Sequence, residues 1–201
     1  MTTDAIFSTP DFKKCAEFHG HICPGLSIGF RAARAAMDWL KENRAEDEEL
    51  VAIVDTDACG SDAIQVLTGC TFGKGNFYYR DYGKQAFTLF GRTSGRGVRV
   101  CMRPGALEPS AKHRQLMERI RGNEANREEQ EEFARLHQER AREILEKPFE
   151  ELFTLKEIIQ VLPPKARIEP SKQCQVCGEP VMGSKIEIRE GKEICRSCLE
   201  G

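Results

Sequence analysis

The sequence lacks several features that would place it in a large functional class. It has no apolar run near the ~20 residues that a helix needs to cross a bilayer, although 40% of its 201 residues are hydrophobic. Its first residues, MTTDAIFSTPDFKK, show no basic start followed by a long apolar stretch, so we expect no secretory signal and a cytoplasmic protein. The net charge of −2 gives no basic excess, which argues against a general attraction to nucleic acid or acidic lipid.

Cysteine, in contrast, is abundant, with nine residues. In a reducing cytoplasm such cysteines are expected as metal ligands, catalytic thiols or core residues rather than as disulfides. Four of them form two Cys-x-x-Cys pairs separated by seventeen residues, and these are Cys174, Cys177, Cys195 and Cys198. This spacing predicts a closed, structural zinc site, with a redox dithiol pair or four unrelated thiols as the alternatives.

The four cysteines define a small C-terminal module. Pro163, Pro164 and Pro170 favour an extended connector, so we expect domains at 1–165 and 166–201. Between the cysteine pairs, a hairpin is expected to begin at VM, turn at GS and continue through KIEIRE. Six basic and six acidic residues in 166–201 favour a docking or dimer-stabilising role for the module over nucleic-acid binding.

The first 160 residues are expected to hold the main fold, with four or five strands and helices around them. Apolar residues at helical spacing predict a core helix from Pro24 to about Lys41, and LVAIVD predicts a buried strand. Further expected elements are a helix capped by Ser61, a hairpin of NFYYR and KQAFTLFGR, a strand at GVRVCMR, and a charged, solvated helix from Ser110 to about Phe153 that carries His113 and His137 as surface residues.

The segment FHGHICPGL crowds His19, His21 and Cys23 into five residues. Cys23 and Cys59 each precede a predicted helix, whose N-terminal partial charge lowers the pKa of a thiol. If both helix starts lie at the same end of the sheet, two thiolates and an imidazole suit zinc and leave an open position. Asp62 would then orient a ligand or act as a general base. A thiol-based redox or nucleophilic site and a purely structural loop remain the alternatives.

Three motifs in order, FHGHICPGLSIGFRAA, CGSDAIQVLTGCTFGKGN and DYGKQAF, resemble the FmdE family, which takes its name from one of the subunits of molybdenum or tungsten formylmethanofuran dehydrogenase. The resemblance covers roughly residues 12–160. It implies an α+β, thioredoxin-like core with a mixed sheet of about five strands flanked by helices. It also implies dimers, and a treble-clef zinc finger of the kind that some members carry at the C-terminus.

By the same resemblance, the core active site, which can hold zinc or another transition metal, falls on His19, His21, Cys23 and Cys59. Asp62, Cys70 and Lys74 follow as second-tier candidates, with Lys74 expected to meet an anionic group of a substrate.

Two functional classes therefore stay open, with a third of less weight. The chain is expected to be a metal-binding accessory or maturation component that works with formylmethanofuran dehydrogenase subunits. Alternatively, it is a stand-alone enzyme in which a zinc-bound water or the thiolate of Cys23 or Cys59 acts on a small substrate. The third class is nucleic-acid binding through the finger. The fold does not choose among these classes.

Overall fold

A computed structural model of the chain describes residues 6–159 and 161–201. The chain divides into two compact units, Met1–Lys165 and Ala166–Gly201. The helices of the first unit are α1 (Pro10–His19), α2 (Pro24–Leu40), α3 (Gly60–Thr68), α4 (Ala111–Arg121), α5 (Arg127–Glu146) and α6 (Phe149–Leu152). Its strands are β1 (Leu50–Val54), β2 (Phe77–Tyr79), β3 (Ala86–Gly91), β4 (Gly97–Met102) and β5 (Phe153–Ile158).

The five strands form one mixed sheet in the order β2-β1-β3-β4-β5, and helices accompany it, as expected. Only β1 and β2 run parallel, with Ala52 opposite Phe77, while the other neighbouring pairs are antiparallel. The predicted hairpin of NFYYR and KQAFTLFGR is wrong, because β1 lies between β2 and β3 and pairs with both. The thioredoxin-like assignment of this sheet stays a prediction.

The continuous apolar strand β1 is central because both of its faces are buried. On one face, Ala52 and Val54 pack into a core with residues of α2 and α3. On the other face, Val51 and Ile53 pack with Phe90, and Leu162 of the following segment covers this smaller cluster. A strand without polar alternation is what two covered faces require.

Helix α2 starts and ends nearly where its apolar spacing predicts. Pro24 occupies the first turn, where its missing N–H is not needed, and Cys23 precedes it as the N-cap. The helix ends at Leu40, after which Lys41 adopts a left-handed conformation. Ala32, Ala33 and Ala36 are fully buried, so small side chains allow this helix to pack closely against its neighbours.

Helices α2 and α3 touch through backbone at two glycines. A Cβ added to Gly29 would lie 2.1 Å from the carbonyl oxygen of Gly60 and 2.5 Å from its Cα. The start of α3 also differs from expectation. The helix begins at Gly60 after Cys59, and the Ser61 hydroxyl donates to the carbonyl of Thr56 at 2.7 Å instead of capping the helix.

The long charged stretch is divided into two helices, α4 and α5, around Gly122 and Asn123. Helix α5 begins with a capping box, in which Asn126 and Glu129 each bond the other's backbone N–H. Its C-terminal end packs on α2, where Arg31 donates to the carbonyl oxygens of Ile144, Leu145 and Lys147 at 2.7–2.9 Å. A guanidinium at this end satisfies carbonyls that the helix leaves unpaired and complements its dipole.

The second unit contains two small sheets. Its elements are β6 (Ser171–Gln173), β7 (Pro180–Met182), a 3₁₀ turn (Gly183–Lys185), β8 (Ile186–Arg189), β9 (Lys192–Cys195) and α7 (Arg196–Glu200). The hairpin predicted from VM through KIEIRE is wrong, because β7 pairs with β6 and the hairpin consists of β8 and β9. Glu190 and Gly191, both with positive φ, make its turn.

None of the helices in residues 6–159 and 161–201 combines the length and apolar composition that a bilayer crossing requires.

The glycine contact between α2 and α3 predicts an asymmetric response to alanine. Gly29→Ala gains ~0.5–1 kcal/mol of helix propensity. Its methyl group, however, meets backbone atoms of Gly60 at 2.1–2.6 Å, and overpacking of that kind costs ~1–3 kcal/mol or more. We therefore expect a lower free energy of unfolding, measured by urea denaturation. Gly73→Ala is the control, since its Cβ would meet no described heavy atom within 4 Å. Equal stability of the two variants would contradict the close contact.

Candidate functional site

The candidate site is built where α1 ends and α2 begins. Gly20, with φ of 89°, ends α1 in a left-handed turn and donates its N–H to the carbonyl of Ala16 at 2.9 Å. This turn places His19 on the last turn of α1, and His21 and Cys23 on the short loop before α2. The ligand atoms of the three residues lie within 4.8 Å of one another, and the two imidazole rings are 4.4 Å apart.

Asp62 on α3 orients His19. The distance from His19 Nδ1 to Asp62 Oδ2 is 2.7 Å, and a carboxylate accepts, so Nδ1 carries the proton in this contact. The other ring nitrogen, Nε2, then presents its lone pair, and it lies 3.6 Å from the sulfur of Cys23. A carboxylate behind an imidazole is the usual support of a histidine that binds a metal. Asp62 therefore acts on His19 in this arrangement.

Cys59 adjoins Cys23 across the contact between α2 and α3. The two side chains interact with each other, and Gly25 lines the space between them. A Cβ on Gly25 would lie 3.5 Å from the sulfur of Cys59 and 3.8 Å from that of Cys23. The structure thus brings together His19, His21, Cys23, Cys59 and Asp62, which come from three separate stretches of the chain.

The two thiols differ in their surroundings. Cys23 is 3% exposed, and its sulfur accepts the N–H of Leu26 at 3.3 Å, whereas Cys59 is only half-buried. Burial raises the pKa of Cys23 to about 11, and the Leu26 N–H opposes that shift only in part. The expectation that a helix start lowers the pKa of this thiol is therefore wrong for Cys23, because the cost of desolvating the thiolate is larger.

Cys70 and Lys74 lie elsewhere. Both follow α3, whose nine residues carry the chain ~13 Å away from Cys59. Cys70 is fully buried in the main core. The ammonium of Lys74 lies 3.4 Å and 3.2 Å from the carbonyl oxygens of Ala45 and Glu46, where it braces the loop before β1. The structure therefore does not bring either residue to the site, which corrects their second-tier assignment and the expected contact of Lys74 with an anion.

Two histidines that the sequence reasoning placed on the surface form a buried pair. His113 is 6% exposed, and its Nε2 lies 3.4 Å from Nδ1 of His137. Burial lowers the pKa of both imidazoles, with Arg140 adding to the effect at His113, and with His113 and His21 adding to it at His137. All four histidines of the chain therefore lie along one path from α1 to α4. The periodicity of the charged helix contains no signal for this, because the contacts are tertiary.

The four C-terminal cysteines form a second candidate metal site, in the second unit. Their sulfur atoms lie within 4.8 Å of one another, and Cys177 and Cys195 are 3.9 Å apart. Sulfur ligands of tetrahedral zinc, at bonds of ~2.3 Å, stand ~3.8 Å apart, so the cluster has room for that ion. Such a site is closed, because all four positions are protein sulfur.

Backbone N–H groups surround the first of these sulfurs. Cys174 accepts from Cys195 N at 3.3 Å and from Val176 N at 3.5 Å. Together with the N–H of Cys177, these donors lower the pKa of Cys174 to about 6. Gly178, with φ of 77°, closes the turn by donating to the carbonyl of Cys174 at 2.9 Å. The turn therefore favours a thiolate, which is the form of cysteine that binds metal.

Comparisons with known proteins identify the first unit. The FmdE family model, described as "FmdE, Molybdenum formylmethanofuran dehydrogenase operon", matches residues 18–154. A curated protein of Archaeoglobus fulgidus, named "Probable S-adenosyl-L-methionine-binding protein", is 32% identical over 182 residues, which are 87% of this chain and 49% of that protein. The chain thus spans about half the length of this curated relative.

A solved structure shares the fold. It is the crystal structure of an FmdE-like protein of tungsten formylmethanofuran dehydrogenase from Syntrophus aciditrophicus, with a TM-score of 0.61 and 23% sequence identity. The superposition covers 98% of this chain and 91% of that chain. The family model covers every residue of the core cluster, from His19 to Asp62. On that match, the chain belongs to the FmdE family.

Proposed function

We propose that this FmdE family member is a metal-binding accessory or maturation component of a molybdenum or tungsten formylmethanofuran dehydrogenase. Its core site would use His19, His21, Cys23 and Cys59 to hold zinc or another transition metal. The observation that supports this most directly is the 2.7 Å bond from His19 to Asp62, since it leaves Nε2 of His19 facing the Cys23 sulfur. Imidazole and thiolate together suit zinc and its transition-metal neighbours.

The exposure of the ligands indicates what such a site would do. Cys23 is buried, whereas His21 is exposed and Cys59 is half-buried, so the site opens to solvent on one side. A bound ion would act as a Lewis acid toward a ligand at that side. The protein's own contribution is to fix the ligand geometry through Asp62 and to bury Cys23 away from competing water.

The open side also supports the second candidate function, a stand-alone zinc- or thiol-dependent enzyme acting on a small substrate. Because Cys59 is the more exposed of the two thiols, it would be the nucleophile in a thiol-dependent reaction. Co-purification separates the two functions. Retention of dehydrogenase subunits by the intact chain favours the accessory role, and turnover of a small substrate by the isolated chain favours the enzyme.

For the second unit we propose a structural zinc finger of the treble-clef type that docks a partner, either another protein of the dehydrogenase or a second copy of the chain in a homodimer. Turn, hairpin and final helix each bring cysteines to the cluster. Nucleic-acid binding receives less support, because Lys172, Arg189 and Arg196 pair with Glu193 or Glu187 and leave little unpaired positive charge among them.

The core site predicts a change in metal content. Cys23→Ser is expected to lower the zinc of the purified protein from about two ions per chain to about one, because the finger keeps its own closed site. Elemental analysis after dialysis measures this. Cys101→Ser is the matched control, since Cys101 lies on β4 outside both clusters. Unchanged zinc in Cys23→Ser would reject the core site.

The support from Asp62 predicts a graded effect. Asp62→Asn preserves the shape of the side chain but removes the charge that fixes the His19 tautomer. We expect the affinity of the core site for zinc to fall ~10- to 100-fold, which is typical of losing such a partner. Competition with a chromophoric chelator measures the affinity. Asp57→Asn, at an exposed position of the loop before α3, serves as the control. An affinity equal to that of the unmodified chain would show that Asp62 does not position a ligand.

The finger predicts coupled loss of metal and structure. A unit this small depends on its metal to fold, so Cys177→Ser is expected to lose one zinc per chain together with amide exchange protection in 166–201. Hydrogen exchange read out by mass spectrometry follows both units at once, and protection of the first unit serves as the internal control. Retained protection without the metal would contradict a zinc-dependent fold.

A further inference from the structure

We propose that His113 and His137 form a separate metal site that joins α4 to α5, with two imidazole ligands for a divalent first-row cation such as Zn²⁺. The pair goes beyond the proposed function, because it uses neither the cysteines nor the residues of the core cluster. Imidazole nitrogen is a preferred ligand of zinc, copper and nickel. The site would therefore be a link between the two helices of the charged hairpin.

The distance between the two ring nitrogens supports a metal. His113 Nε2 and His137 Nδ1 lie 3.4 Å apart, which is long for a hydrogen bond, whose usual length is about 2.9–3.0 Å. Two zinc–nitrogen bonds of ~2.0–2.1 Å at a tetrahedral angle place the nitrogens ~3.4 Å apart. The spacing is thus the one that a shared cation requires.

The rings are held in place by their neighbours. The ring of Phe133 stacks on His137 at 5.0 Å between centroids, and it also contacts His113 at 5.2 Å. The backbone N–H of His113 donates to the hydroxyl of Ser110, which caps α4 and fixes the first turn of that helix. The ligands are therefore pre-organised, so that little conformational freedom is lost when an ion binds.

The pair has access to solvent. A hollow of about 290 Å³ beside it is lined by Ser110, His113, Leu136, Glu139, Arg140 and Glu143. Waters in this hollow would complete the coordination shell. The positive charge of Arg140 opposes a cation, but Glu143 pairs with it at 2.7 Å and offsets that charge. Two protein ligands and one opposing cation lead us to expect weaker binding than at the four-cysteine cluster.

The hairpin would benefit from such a link. In α4 only His113 and Leu116 are buried, so few apolar contacts hold this helix to the rest of the chain. An ion shared by His113 and His137 connects the first turn of α4 to the middle of α5. Because a metal that binds only the folded form stabilises it, the hairpin should open less often when the site is filled.

The test uses the full chain with its zinc sites saturated, followed by titration with further Zn²⁺. Two-dimensional ¹H–¹⁵N spectra of the histidine rings should show shifts at Nε2 of His113 and Nδ1 of His137, and amide exchange in α4 should become slower. His137→Gln and His113→Gln should each lose both responses. Gln138→Ala, at the exposed next position of α5, is the matched control and should keep them.

The outcomes separate this proposal from the core site. Cys23→Ser should leave the histidine response intact, whereas His137→Gln should leave the two tightly bound zinc ions in place. If His137→Gln instead removes the core ion, the pair supports the core site and the separate site is rejected. Ring signals that do not respond to Zn²⁺ in the unmodified chain would also overturn the proposal.

Discussion

The candidate site depends on how closely two helices approach each other. Cys23 precedes α2 and Cys59 precedes α3, and the two thiols adjoin only because these helices touch through backbone at Gly29 and Gly60. Any side chain at Gly29 would separate the helices and therefore the sulfurs. Glycine in the middle of a helix ordinarily costs stability. Here its missing side chain determines the geometry of a site almost two turns away.

A second link, between α1 and α3, completes the arrangement. Because Asp62 lies one turn after Cys59 on α3, the packing that positions Cys59 also brings a carboxylate to His19. Three segments that are distant in the sequence are thus fixed by one glycine contact and one hydrogen bond. Burial of Cys23 then limits direct access of a substrate to its sulfur, which leaves the exposed His21 and the half-buried Cys59 facing any ligand.

The sequence predicts those features that depend on local spacing. The apolar period of α2, the unbroken apolar run of β1 and the two Cys-x-x-Cys pairs each indicate the right element or cluster. Features that depend on tertiary pairing are missed. The segments NFYYR and KQAFTLFGR are adjacent in the sequence and alternate like a hairpin, yet β1 takes the place between them. Likewise, His113 and His137 lie on charged helices, and only the packing of α4 on α5 buries them.

The two cysteine-containing sites differ in the property that separates structural from functional metal sites. In the four-cysteine cluster every ligand is a protein sulfur, and a small unit with few apolar contacts folds around it. The core cluster lies in a unit that already has a large apolar core, so its fold does not need an ion. Its ligands are mixed, one of them is exposed, and a carboxylate holds another in a fixed tautomer. A group of polar side chains that the fold can do without, yet orients this closely, is better explained by binding than by stability.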